Sequence, residues 1–301
     1  MGCAFCRPSS AGSDSTAWFP DGLPENVLHV TPNSPQELIE EFIEVLASSF
    51  CGDYCSPPEA ILSWCFKSPE MTGNDHTKTL SNDMTKGEGW KHRTEFYRNM
   101  AESTFLRAQR HGGCFALKDP NPEEDSDYGT DDDDDAKSSN AIKNAKVVAV
   151  AVVFPPNNMR GLGEERAPKV PRDGDEPQVR FALLKKTLKL SHDTHFPRGR
   201  QCVYIHSLGV APGSQGQGHG TTLITLIGEC ADRMKVPCYL ETAGTACEGF
   251  FGHNGYKVER RYPLAYNVAT DRGEEESSFK PDGLDGFAAM IRPCADSSNR
   301  A

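Results

Sequence analysis

From Leu208 to Thr221 the chain reads LGVAPGSQGQGHGT, and five glycines fall between Gly209 and Gly220. Ahead of this stretch lies VYIHSLGV, with the composition of a strand. Behind it Leu223, Ile224, Ile227, Cys230, Ala231 and Met234 recur at helical spacing until Pro237 ends the pattern. The predicted order is therefore strand, glycine loop, helix, with the helix running from about Gly218 to Met234. A helix start leaves its first amides unpaired and carries about half a positive charge. Glycine lets other atoms approach that backbone closely. Such a junction can hold a polyphosphate with neither a metal nor a lysine.

Spacing separates the phosphate loops that fit this description. A nucleotide P-loop needs GxxxxGK[ST]; Gly213 and Gly218 have the first spacing, but His219 stands where the lysine must be. A dinucleotide fingerprint needs GxGxxG; Gly216, Gly218 and Gly220 give GxGxG, and no βαβ start precedes them. What remains is Gln215, Gly218 and Gly220 in the pattern [QR]xxGx[GA] after a strand. That block resembles the acetyl-CoA loop of the GNAT N-acetyltransferase superfamily. The resemblance continues through PCYLET (Pro237–Thr242) as the next strand and GFFGHNGYKVE (Gly249–Glu259) as the FYxxxGF helix with the strand after it. VVAVAVVFPP (Val147–Pro156) resembles an upstream strand ending in a proline pair, and GFAAMIRP (Gly286–Pro293) the closing strand.

The resemblance implies a mixed α/β fold. Its central sheet would have about seven mostly antiparallel strands, splayed at the acetyl-CoA site, with helices on both faces. It implies a single acetyltransferase domain over 26–293, interrupted by an acidic insertion at 119–145 and a loop and helix insertion at 157–198, between tails at 1–25 and 294–301. Acetyl-CoA would be the cosubstrate and an amine the acceptor, with no metal. Backbone groups of Leu208, Gly209 and Val210 would pair with the pantetheine arm, and Gly216, Gln217, Gly218, His219, Gly220 and Thr221 would hold the pyrophosphate, with Gln215 bracing the loop.

Acetyl transfer to an alkylammonium, with a pKa of about 10, requires removal of a proton before nitrogen attacks the thioester. On the strand Gln201–Val210, period two places Tyr204, His206 and Leu208 on one face. His206 matches the second of two strand histidines implicated as bases in the aralkylamine N-acetyltransferases, and Tyr204 the first. Two readings of His206 stand, a base and a hydrogen-bonded structural histidine. Glu241 is the alternative base or water anchor, or else a salt-bridge partner. The backbone amide near Leu208 is the oxyanion donor that the resemblance implies.

Two positions depart from the family pattern. Phe251 stands where a tyrosine protonates the departing thiolate, and Cys247 where many relatives carry an asparagine that touches the pantetheine. Three functions fit this set: an N-acetyltransferase for a small primary amine, a protein or peptide acetyltransferase, and an acyl-CoA-binding regulator with weakened catalysis. A helix through Val179–Leu190, marked by Phe181, Leu184 and Leu188, would wall the acceptor site in the first case.

Composition narrows the partners. The net charge is −11, and nine acidic residues fall between Glu123 and Asp135, a solvated insertion or an acidic lip for cationic amines. No basic stripe with interleaved aromatics suggests nucleic acid. The longest apolar run, Val147–Phe154, has strand length. Eleven cysteines without paired metal spacing read as reduced thiols of a cytoplasmic protein. The start MGCAFCRPSS offers Gly2 for myristoylation and Cys3 and Cys6 for palmitoylation, a second expectation of membrane tethering. Elsewhere, Asn26–Thr31 reads as a first strand. Ser34–Glu37 reads as a capping box with Pro35 at the first helical position, opening a helix with Leu38, Phe42, Leu46 and Phe50 on one face. Gly89–His111 reads as a second long helix.

Overall fold

The computed structural model describes residues 19, 22–52, 59–65, 88–119, 145–156, 176–197, 201–270 and 273–295. The acidic run and the N-terminal Gly2, Cys3 and Cys6 lie outside these residues. In chain order the elements are β1 (Val27–Val30), α1 (Gln36–Cys51), α2 (Ala60–Cys65), α3 (Glu88–His111), β2 (Gly113–Lys118) and β3 (Val147–Phe154). Then come α4 (Glu176–His195), β4 (Val203–Val210), α5 (His219–Arg233), β5 (Cys238–Thr242), α6 (Thr245–His253) and β6 (Lys257–Tyr262). A hairpin, β7 (Ala265–Thr270) and β8 (Gly273–Ser278), precedes β9 (Phe287–Arg292). Seven strands form one sheet in the order β1-β2-β3-β4-β5-β9-β6, and β7 pairs only with β8. Every pairing in the large sheet is antiparallel except β4 with β5.

All eight residues of β3 are buried, so both faces of the sheet are covered at its centre. Val150, Val152 and Phe154 pack with Phe42 and Leu46 of α1 and with Phe105 of α3. Ala149, Ala151 and Val153 pack with Leu223, Ile224 and Ile227 of α5. Phe19, within the expected N-terminal tail, is only 4% exposed and meets Phe115 edge-on. Arg98 of α3 ties to Glu40 and Glu44 of α1.

The entry to α1 differs from the expected capping box. The helix begins at Gln36, Pro35 takes the N-cap position, and no side chain caps it. Ser34 Oγ instead accepts the Thr31 amide at 2.9 Å, because the tight turn from β1 offers that donor first. The β7–β8 hairpin and the short α2 were not expected; both are short and lack a strong apolar period.

Candidate active site

The site begins where β4 and β5 part. Parallel pairing holds only Val203 with Cys238 and Tyr204 with Tyr239. Beyond that point β5 stays with β9 through Thr242, while β4 stays with β3 through Val210. A gap opens between the two parallel strands.

A bulge in β4 decides what faces this gap. Ile205 opposes Val153 and Ser207 opposes Val152, so His206 is an extra residue on its strand. Strict alternation is broken there, and the expectation that Tyr204, His206 and Leu208 share a face is corrected. Tyr204 and His206 stay together, each against Phe154, with ring centroids 6.2 and 5.8 Å away. The Leu208 side chain turns to the opposite face and packs toward α5. Gly209 then faces α1, where a Cβ would stand 2.2 Å from Ser49 Oγ, so a side chain there would force strand and helix apart.

The ladder fixes where the backbone of β4 points. Ala211 donates to the Val148 carbonyl at 2.9 Å, so the Gly209 and Val150 pair is also hydrogen-bonded and the pairs between them are not. Leu208 and Val210 therefore aim their amides and carbonyls away from β3, into the gap. Gln215 Nε2 reaches the Val210 carbonyl from that side at 3.3 Å and braces the loop on the strand. The glycine loop follows. Gly216 and Gly218 adopt φ of +79° and +88°, and beside each the Cβ direction is open. Gly218 is the N-cap of α5, whose first residues are His219, Gly220 and Thr221. His219 is buried with Nε2 3.2 Å from Gln217 Oε1, while Gln215, Gly216, Gln217, Gly218 and Thr221 are exposed. The backbone of Leu208 and Val210 turned away from β3, an exposed loop and a helix start line one continuous side of the gap, and these fit an extended thioester cosubstrate with a pyrophosphate.

The other side is made of side chains. Glu241, two residues beyond Tyr239, has a side chain 3% exposed. It accepts from the Tyr239 hydroxyl at 2.5 Å and lies 2.9 Å from His192 Nε2. Burial alone would raise the Glu241 pKa, but His192 and the Tyr239 and Tyr204 hydroxyls outweigh it and hold the carboxyl below its ordinary value. Burial drives the Tyr204 and Tyr239 phenols well upward, reinforced by the Glu241 charge, so both stay neutral. His206 Nδ1 sits 2.8 Å from Ser207 Oγ. Burial, with the Arg107 cation adding, pushes the His206 imidazole down to about 4.

The structure thus brings His206, Tyr204 and Glu241 to one place and the Leu208 amide to its edge. Phe251 is half-buried and lies edge-on to Phe250 and Tyr256; Cys247 is exposed in the first turn of α6. Sequence reasoning missed Ser191, His192 and His195 at the end of α4, and also Tyr239. His192 stands 4.9 Å from the Tyr204 ring, and Tyr239 sits between Ser191 Oγ (2.6 Å) and Glu241. The signal was present: Leu184 and Leu188 mark the inward face of α4, and the same period carries it to Ser191 and His195. Tyr239 shares a strand face with Glu241 by period two.

An open parallel pair, a backbone-lined gap and a glycine loop capping a helix define an acyl-CoA-dependent transferase. The chain belongs to the Acetyltransferase (GNAT) family, which matches residues 102–256, just over half of its length. That family uses acetyl-CoA as cosubstrate. No curated protein matches the chain. Among solved structures it is similar to arylalkylamine N-acetyltransferase 2 from Aedes aegypti, with 14% identity, 89% of this chain and 99% of that one covered, and a TM-score of 0.46. It is also similar to the polyamine N-acetyltransferase of Drosophila melanogaster, with 11% identity, 89% and 99% coverage, and a TM-score of 0.44. The histone acetyltransferase HPA2 and related acetyltransferase from Corynebacterium glutamicum gives 14%, 90% and 96%, and 0.40. Among the described residues no cluster of three metal-ligating side chains occurs, and no helix is long and apolar enough to cross a membrane.

Proposed function

We propose that this protein moves the acetyl group of acetyl-CoA directly to the primary amine of a small molecule by general-base catalysis. The observation that carries this reading is the buried His206, Tyr204 and Glu241 cluster beside the outward-facing Leu208 amide, with the end of α4 closing the acceptor side. His192 and Phe196 meet Tyr204 and Tyr239 edge-on and His195 lies tilted against Tyr239 there, which suits a small acceptor better than a peptide in an open groove.

In the reaction, an N–H bond of the bound ammonium breaks and its electron pair stays on nitrogen. With Nδ1 held by Ser207, His206 Nε2 takes the proton, directly or through a water held by Glu241. Its low pKa keeps the imidazole neutral above about pH 5, so the accepting form is present through the neutral range. The freed pair attacks the thioester carbonyl, whose oxygen takes the charge and is met by the Leu208 amide; such a preorganised donor contributes about 3 kcal/mol. Collapse breaks the carbon–sulfur bond and sulfur leaves with its electron pair. Phe251 supplies no proton, but a thiol of pKa about 8.5 leaves acceptably as the thiolate.

The test is thiol release from acetyl-CoA across arylalkylamines, polyamines, amino acids and peptides, with acetyl-CoA binding measured by calorimetry. Turnover confined to small amines supports the reading. Turnover on peptides alone supports the protein acetyltransferase, and tight binding without turnover supports a regulator that has lost its chemistry at Phe251 and Cys247.

A further inference from the structure

The two oxygens of the buried Glu241 carboxylate are treated differently. Oε1 receives the Tyr239 hydroxyl at 2.5 Å and faces His192 Nε2 at 2.9 Å, and Tyr239 is itself held by Ser191 Oγ at 2.6 Å. Ser191 thus holds this carboxylate through a phenol, and the adjacent His192 meets it as an ion-pair contact without hydrogen-bond geometry. Oε2 has no hydrogen-bond partner among the described residues, although the side chain is 3% exposed. A carboxylate oxygen left bare at that depth is costly unless a ligand supplies the donor. It belongs to a residue on the strand face shared by Tyr239 and Tyr204, beyond the last pair that joins β5 to β4, and it is buried there.

The charged and titratable surroundings leave this oxygen as the seat of negative charge. Tyr204 of β4 and Tyr239 of β5 are neutral phenols, and His206 of β4 is a neutral imidazole. On α4 itself Lys189 and Asp193 pair with each other at 2.9 Å, and His195 Nε2 lies 3.2 Å from the Tyr262 hydroxyl. From α3, the Arg107 charge acts on His206 and Tyr204.

We propose that Glu241 Oε2 seats the acceptor as a primary alkylammonium cation, and that His192 is the positioning residue that fixes this carboxylate and sets its net charge. The inference rests on the N-acetyltransferase reading and narrows its acceptor to amines that arrive protonated, excluding weakly basic aromatic amines. Burial alone would lower the His192 pKa, but the Glu241 charge outweighs it and the imidazole titrates above its ordinary value. Protonated, His192 cancels the charge of Glu241; neutral, it leaves that charge to the acceptor. Affinity for the cation therefore rises with pH through the His192 transition.

The experiment titrates phenethylammonium into the full chain saturated with CoA, by calorimetry from pH 6 to 9, with aniline as the weakly basic comparison. Affinity for phenethylammonium should rise about tenfold across that range and exceed that for aniline. Glu241→Gln should lose about tenfold at pH 8.5, as expected when a charge-assisted hydrogen bond becomes neutral. His192→Gln, which keeps a donor beside Oε1, should hold the pH 8.5 affinity within about threefold and abolish its pH dependence. Equal binding by Glu241→Gln, an unchanged pH dependence in His192→Gln, or no preference over aniline overturns the proposal. CoA binding by each variant reports folding, and if Glu241→Gln loses it, His192→Gln decides. Failure of the wild type to bind CoA overturns the acetyltransferase reading itself, and this inference with it.

Discussion

Along the β4 side, the gap is lined by main chain: the outward groups of Leu208 and Val210, then the loop with Gly216 and Gly218 in the left-handed region. The rest of the lining is side chains, His206 and Tyr204 from the earlier part of β4, Glu241 from β5, and Ser191 and His192 from α4. Main-chain groups cannot be deleted by mutation, so the cofactor side is vulnerable chiefly to additions that bend the chain. The acceptor side is vulnerable to single removals, because its polar atoms serve one another in a buried network. A family-wide cosubstrate suits the first kind of construction.

The largest effect should come from removing the proposed base. His206→Gln is expected to lower kcat by roughly 10²–10³-fold, within the usual range for a positioned base. Acetyl-CoA affinity should stay within about twofold of the wild type. Steady-state kinetics with parallel calorimetry checks both halves; a matching loss of cofactor affinity would show that the two sides are not separable.

Next in size is a stability effect confined to the acceptor side. The His206 pKa is depressed to about 4 from an ordinary 6.5 by burial first and the Arg107 charge second. Between these values the unfolded chain binds a proton that the folded chain refuses, so stability falls as pH falls through this window. The neighbours act elsewhere. The raised His192 pKa gives stability that is complete below 6.5 and lost at higher pH, and the lowered Glu241 pKa gives stability lost only below the ordinary carboxylate range. Urea unfolding of the wild type should therefore show a loss of about 2–3 kcal/mol between pH 6.5 and 4.5 that His206→Gln largely lacks. Identical curves would place the titration on another group.

A smaller effect is expected on the cofactor side. Gly218 holds φ +88° at the N-cap of α5 with open space around it. The Cβ of Gly218→Ala meets no atom within 4 Å, so its cost is conformational, about 1–2 kcal/mol, and where the free loop relaxes out of that conformation acetyl-CoA binding weakens by about tenfold. At saturating acetyl-CoA, kcat should be unchanged. A fall in kcat instead would mean that the loop also sets the position of the thioester.

The same contrast explains what the sequence made legible. The glycine loop, the strand before it and the helix after it are contiguous, so one stretch from Val203 to Arg233 carries the cofactor side and its motif is readable directly. The acceptor network joins residues 191–192, 204–206 and 239–241, whose proximity is created by the tertiary fold. Glu241 and His206 were found because they lie on motif strands. His192 was not, because it closes a helix whose only legible signal was the spacing of Leu184 and Leu188. The bulge at His206 was equally hidden: composition gives no sign of an extra residue in a strand, and its consequence, the reversed face of Leu208, appears only in the register.

The smallest expected effect concerns Phe251, where the sequence resemblance implies a tyrosine. Phe251 of α6 packs edge-on to Phe250 at 5.1 Å and to Tyr256 at 5.7 Å, in the apolar cluster that also holds Ile224 and Ile227. Phe251→Tyr adds the hydroxyl that the family pattern places there. If departure of the thiolate is easy, as a leaving-group pKa of about 8.5 implies, proton donation contributes little and kcat should change by no more than about threefold at pH 8. Solvent then supplies the proton after the bond has broken, and the chemistry remains with the acceptor side. An increase of tenfold or more would reverse that division: expulsion of sulfur would limit the wild-type enzyme, and the cofactor side would carry a chemical task that its main-chain lining does not perform.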